Sequence, residues 1–140
     1  MSTELDTTWS ISALLCDHAQ VADNKLFISG GGISLFQHGN AISFIAMKIN
    51  VPWNEANIEH DFRALLIDED GNEVVGPNGD RVAFEAKFEQ GRPPGMPHGT
   101  SIDLPMAIGI SPLNLSQGQY VWHLDIDGKT IDILRFMVLS

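Results

Sequence analysis

Alternation of apolar and polar residues with a period of two constrains this chain more than any other feature, because successive side chains of an extended strand point to opposite faces of the pleat. Val82, Phe84, Ala86 and Phe88 alternate with Arg81, Ala83, Glu85, Lys87 and Glu89, and Ile102, Leu104, Met106, Ile108 and Ile110 alternate with Asp103, Pro105, Ala107 and Gly109. Tyr120, Trp122, Leu124 and Ile126 alternate with Val121, His123, Asp125 and Asp127. The dipeptide Asp127-Gly128 then predicts a tight hairpin into a strand over Thr130–Leu139. In that last strand Ile131 and Ile133 share one parity while Leu134, Phe136 and Val138 share the other, which predicts a β-bulge near Ile133.

Further strands are expected at Trp9–Cys16, Lys25–Ser29, Ile33–Phe36, Ala41–Val51 and Asp61–Asp68. They are separated by the turn formers Asp23-Asn24, Gly30-Gly31-Gly32, His38-Gly39-Asn40 and Asp70-Gly71-Asn72. Apart from about one turn around Asn54–Ile58, no window shows the i, i+3, i+4, i+7 apolar spacing of an amphipathic helix, so long βαβ crossovers are excluded and pairing should be largely antiparallel. The expected fold is all-β: a single-domain antiparallel β-sandwich of about eight strands, immunoglobulin-like or of a related Greek-key topology. Residues 1–8 read as an N-terminal tail and 9–140 as the sandwich. A total of 140 residues suits one core.

Composition removes several classes of function. Eight Lys and Arg against 18 Asp and Glu leave a net charge of -10, which repels a phosphate backbone, so nucleic acid is not an expected partner. No apolar run approaches the roughly 20 residues that span a bilayer, so no membrane is expected either. A lone cysteine, Cys16, and the absence of a basic n-region and apolar h-region in residues 1–15 lead to the expectation of a cytoplasmic protein.

Three strands carry apolar residues on both parities. Ile42, Phe44 and Ala46 oppose Ile45, Met47, Ile49 and Val51; Phe62 and Leu66 oppose Leu65 and Ile67; Leu14 and Cys16 oppose Trp9, Ile11, Ala13 and Leu15. A two-sheet domain has one interior, so apolar side chains on its outer faces need a covering loop or a second chain. Ile42, Phe44, Leu65 and Ile67 are therefore the expected oligomer interface.

Reactive constellations are weak. Cys16-Asp17-His18 holds a nucleophile, an acid and a base, but neighbours in a strand point apart, and a thiol ending an apolar strand behaves as a small hydrophobe. The five histidines, at 18, 38, 60, 98 and 123, show no metal-ligand spacing. Asp68-Glu69-Asp70-Gly71-Asn72-Glu73 lacks the 12-residue spacing of a calcium loop and reads as a polar hairpin, calcium remaining open. Ser29-Gly30-Gly31-Gly32 precedes a strand rather than a helix and has no following lysine, unlike a phosphate loop. No catalytic residue, metal ligand or cofactor is expected.

Two polar segments remain. Val51-Pro52-Trp53-Asn54-Glu55-Ala56-Asn57 sets an indole beside amides and a carboxylate, and Gly91–Gly99 presents Arg92 beside three prolines. Tryptophan and arginine are enriched at binding hot spots, and a proline-rich loop loses little entropy on binding. Trp53, Asn54, Glu55, Asn57, Arg92, Pro93 and Pro94 are thus the candidate partner- or ligand-binding residues.

The stretches Leu15-Cys16-Asp17-His18-Ala19-Gln20-Val21 with Lys25-Leu26 and Gly30-Gly31-Gly32, Val51–Asn57, Gly91-Arg92-Pro93-Pro94-Gly95, and Gly118-Gln119-Tyr120-Val121-Trp122 together resemble an uncharacterised family of short bacterial proteins, largely actinobacterial. The resemblance spans nearly the whole chain. It implies a one-domain β-protein and brings no activity, cofactor or catalytic residue; where members commonly have alanine before the Asp17 position, this chain has Cys16. The functional expectation is a non-enzymatic protein-interaction module that associates first with itself. The alternatives are a small-ligand or carbohydrate-binding sandwich using Trp53 and Arg92, and a structural subunit of a phage or other repetitive assembly.

Overall fold

The computed structural model describes residues 8–37 and 43–139. Among the described residues nine strands form: β1 (Ser10–Ala22), β2 (Lys25–Gly31), β3 (Leu35–Phe36), β4 (Ser43–Val51), β5 (His60–Asp68), β6 (Ala83–Phe88), β7 (Ile102–Ile110), β8 (Gly118–Ile126) and β9 (Lys129–Val138). They make a four-stranded sheet in the order β2-β1-β4-β7 and a five-stranded sheet in the order β3-β9-β8-β5-β6. All pairings are antiparallel except the two-residue β3, which runs parallel to β9.

One core lies between the sheets. Ile11 and Leu15 of β1, Ile45, Met47, Ile49 and Val51 of β4, and Ile102 and Ile108 of β7 face Phe62, Ala64 and Leu66 of β5, Tyr120, Trp122, Leu124 and Ile126 of β8, and Phe136 and Val138 of β9. These are the alternating positions of the sequence, so the period-two pattern translates directly into the interior of a two-layer β-domain.

The turns follow from backbone sterics. Asp23 and Asn24, at φ 53° and 60°, close the β1–β2 hairpin, and Asp127 and Gly128, at φ 51° and 82°, close β8–β9. Both are two-residue connections with positive φ at each position, which short polar residues and glycine tolerate best.

Four local expectations are corrected. β1 continues past Cys16 to Ala22, because that half pairs with β2 in a hairpin. The helical turn is a single 3-10 turn at Trp53–Glu55, started by Pro52, rather than at Asn54–Ile58. The β9 bulge sits at Ile131: Leu124 pairs with Asp132 and Asp125 with Thr130, so Ile131 lies between partners. Ile131 and Leu134 can then both pack on the core, while Ile133 is left opposite His123. On β6, Phe84 remains 39% exposed at the open side of the sandwich rather than buried.

The apolar residues on the outer faces are largely absorbed within the chain. On the four-stranded sheet Cys16, Ala19 and Ala46 are buried in a second cluster with Leu14, Leu26, Phe44 and Ala107 half-buried around them. Phe44 lies over β7 because its neighbour there is Gly109, where a Cβ would come within 3.2 Å of the Phe44 ring. The Cys16 thiol donates to the Phe44 carbonyl at 3.6 Å, and burial, helped by Asp17, pushes its pKa up, so it is held in the thiol form. On the five-stranded sheet Leu65, 6% exposed, lies in a cross-strand row with Ala83, His123 and Ile133, and Ile67 is half-buried opposite Val121. Ile42 lies outside the described residues.

Candidate binding site

Trp53 and Arg92, 39 residues apart in the chain, meet at one end of the sandwich. The Arg92 guanidinium carbon stands 4.2 Å from the centroid of the Trp53 ring, and Arg92 Nη2 and Nε donate to the Trp53 carbonyl at 2.7 and 3.3 Å. Such stacking exploits the negative face of the indole and the planar, weakly hydrated guanidinium. His98, from the far end of the same proline-rich loop, tilts against the indole with centroids 4.9 Å apart.

The two loops are also tied by backbone. The Asn57 N–H donates to the Gln90 carbonyl at 2.8 Å, and Asn57 holds φ 62°, which asparagine tolerates better than most residues. Within the second loop the Met96 N–H donates to the Pro93 carbonyl, closing a turn around Pro94 and Gly95. Pro93, Pro94 and Asn54 are exposed, Trp53 and Glu55 half-buried. The structure therefore assembles Trp53, Asn57 and Arg92 into one platform, flanked by Asn54, Pro93 and Pro94. Phe44, Leu65 and Ile67 lie elsewhere, on the outer sheet faces.

Beneath the platform is a residue that no sequence motif marks. His60, the first residue of β5, is 3% exposed. Its Nδ1 lies 2.7 Å from Asp127 Oδ2 and its Nε2 2.9 Å from the Glu55 carbonyl, the last residue of the turn that begins at Trp53. The Trp9 ring meets His60 edge-on at 4.9 Å, and Phe88 packs at 5.4 Å. Burial works against charging the imidazole, but the hydrogen bonds to Glu55 and Asp127 and the charges of both carboxylates outweigh it, and the pKa of His60 rises. The Asp127 carboxyl is lowered although burial opposes this, because the Asp61 N–H and His60 donate to it and Lys87 adds positive charge. Parity could have located His60: it shares the inward phase of Phe62, Ala64 and Leu66.

Two other features are less suited to recognition. Arg63 and Thr130 bond the buried Asp125 carboxylate on the outer face of the five-stranded sheet, at 2.8 and 2.7 Å, leaving that acid satisfied. A cleft of about 330 Å³ opens between the sheets beside Ile45, Ala64, Phe84, Ile108 and Trp122. Among the described residues no group of three or more His, Cys, Asp or Glu is placed to hold a metal ion, and no helix is long and apolar enough to cross a membrane.

The β2 edge differs from the other edges. β3 is two residues long, β7 carries Pro105, and β6 carries Glu85 and Lys87, all devices that discourage further strand pairing. β2 has Phe27 51% and Ile28 42% exposed, with Lys25 its one charged residue.

No curated protein matches this sequence. A family model matches residues 11–139, covering every strand from the second residue of β1 onward, and the expected membership of an uncharacterised family holds. On that match the chain belongs to DUF6941, a family of unknown function.

Proposed function

We propose that this domain is a non-enzymatic protein-interaction module whose recognition surface is the Trp53–Arg92 platform with Asn57, Pro93 and Pro94. The observation that carries this reading is the Arg92 guanidinium stacked 4.2 Å from the Trp53 centroid on loops outside the core. Trp and Arg are the side chains that most often dominate binding energy, and here both are held in place before a partner arrives, which lowers the ordering cost of association. A polypeptide suits the site better than a stacked sugar or small aromatic molecule, because Arg92 and His98 already engage the indole. We also read the strand order as a Greek-key-related sandwich, an architecture that gathers binding loops at its ends.

A second reading, self-association, is supported by the β2 edge rather than by the outer sheet faces. The exposed Phe27-Ile28 stretch of this edge strand favours pairing with another strand, and a second copy offers an identical one.

One experiment addresses both readings. A photoreactive amino acid in place of Pro93, and in a separate protein in place of Ile28, is irradiated in host extract. Crosslinks from position 93 to a different polypeptide, lost when Arg92→Ala is added, support recognition by the platform. Crosslinks from position 28 to a second copy of the chain support self-association. Equal labelling of many unrelated proteins from position 93, insensitive to Arg92→Ala, removes the platform reading.

A further inference from the structure

The Trp53–Glu55 turn is fastened at both ends by side chains from elsewhere in the chain. Arg92 holds the Trp53 carbonyl from the proline-rich loop, and His60 holds the Glu55 carbonyl from β5. The turn's own bonds are few: the Glu55 N–H to the Pro52 carbonyl at 2.9 Å and the Ala56 N–H to the Trp53 carbonyl at 3.4 Å. Removing either fastening should therefore alter where the indole sits.

The His60 fastening depends on a proton. A backbone carbonyl can only accept, and so can an ionised carboxylate. Asp127 is ionised near neutral pH, since the Asp61 N–H at 2.9 Å, His60 and the Lys87 charge hold its carboxyl below the ordinary 3.8. With acceptors at both ring nitrogens, both nitrogens must donate, and only the imidazolium carries two N–H groups. A neutral ring keeps one. The charge-assisted contact to Asp127 is the stronger and retains it, so the Nε2 lone pair is left facing the Glu55 carbonyl oxygen at 2.9 Å, an unfavourable contact.

We propose that His60 is a proton-operated clasp on the recognition surface: as an imidazolium it holds the Trp53–Glu55 turn in place for binding, and on losing its proton it releases that turn. The proposal rests on the platform reading above, whose regulation it describes. The charged groups that face the ring directly are both acidic. Glu55 faces it from the turn, with Oε1 3.6 Å from Nε2, and Asp127 from the β8–β9 connection. On β5 itself Asp61 points to Lys87 of β6, whose ammonium also acts on Asp127 and, with Glu59, completes the charged surroundings. β1 and β6 otherwise contribute the uncharged rings of Trp9 and Phe88. Two carboxylates thus flank the ring directly, and the Lys87 ammonium acts through Asp127.

The test is a nitrogen-15 NMR titration of the full chain alone from about pH 5 to 9. It follows the His60 ring, the Trp53 indole N–H and the Arg92 Nε–H. The expected result is one shared midpoint above 6.5, the ordinary histidine value, for all three. In Asp127→Asn, which keeps the shape of the acceptor and removes its charge, the shared midpoint moves down by about one pH unit or more. If Asp127→Asn does not fold, the wild-type titration decides alone. A His60 midpoint at or below 6.5, or Trp53 and Arg92 signals that stay flat through the His60 transition, overturns the clasp. Because no partner is present, this outcome is independent of the crosslinking result: shared titration with no crosslink from position 93 keeps the clasp and rejects the platform as a binding surface.

Discussion

Phe62→Ala is expected to cost about 3–5 kcal/mol, measured as the loss in unfolding free energy from urea melts followed by circular dichroism. Phe62 is 1% exposed on the inner face of β5, at the level where the strand pairs with Ile126 of β8 and Ala86 of β6. Deleting its ring opens a void between two hydrogen-bonded sheets, which cannot close around it without breaking pairings. Domains of this size hold roughly 5–15 kcal/mol in total, so the variant keeps only a fraction of the native stability. A loss below about 1 kcal/mol would mean that the sheets do not pack through this residue.

The second large effect is His60→Ala, expected to destabilise by about 2–4 kcal/mol near pH 6, since it removes a buried ring from between Trp9 and Phe88 and strands the Glu55 carbonyl. The pH dependence has a defined direction. His60 binds its proton more tightly folded than unfolded, so its contribution is fully present below about pH 6.5 and is lost as pH rises through the higher folded value. Asp127 behaves oppositely: its folded carboxyl lies below the ordinary 3.8, so its contribution is present above that value and is lost as pH falls through the folded one. Wild-type urea midpoints should therefore be flat between about pH 4 and 6.5 and decline on either side. His60→Ala should flatten the alkaline decline. An alkaline limb unchanged in the variant would show that other groups produce it.

The parts of this fold that the sequence disclosed are those set by neighbours in the chain. Alternation in β6 to β9 needs only adjacent residues, and the Asp23-Asn24 and Asp127-Gly128 turns are decided by which residues tolerate positive φ. Even there local patterns had limits. The phase slip of β9 was visible, but whether Ile131 or Ile133 faced inward depended on β8, and the pairing of Leu124 with Asp132 places the bulge two residues earlier than expected.

Outer faces were harder, because their cover comes from distant segments. Phe44 reads as excess greasy surface until Gly109 is seen beside it, and Leu65 until His123 and Ile133 complete its row. The candidate site shows the same division. Trp53 and Arg92 were each marked by residue type, yet nothing local indicates that they touch, and Asp127, which reads as a turn former, also anchors a histidine 67 residues earlier. His60 itself was legible by phase as an inward-facing polar residue. An ionisable side chain on the core face of a strand demands a partner, and strand phase by itself is enough to raise that demand.

The central claim is that the platform of Trp53 and Arg92 binds a polypeptide. It is tested most directly by calorimetric titration of the polypeptide crosslinked at position 93 into the wild-type chain and into Arg92→Ala. Measurable wild-type binding is expected, weakened at least about tenfold in Arg92→Ala, as follows when a hot-spot arginine is truncated. Equal affinity for the two proteins, with both fully folded, would contradict it.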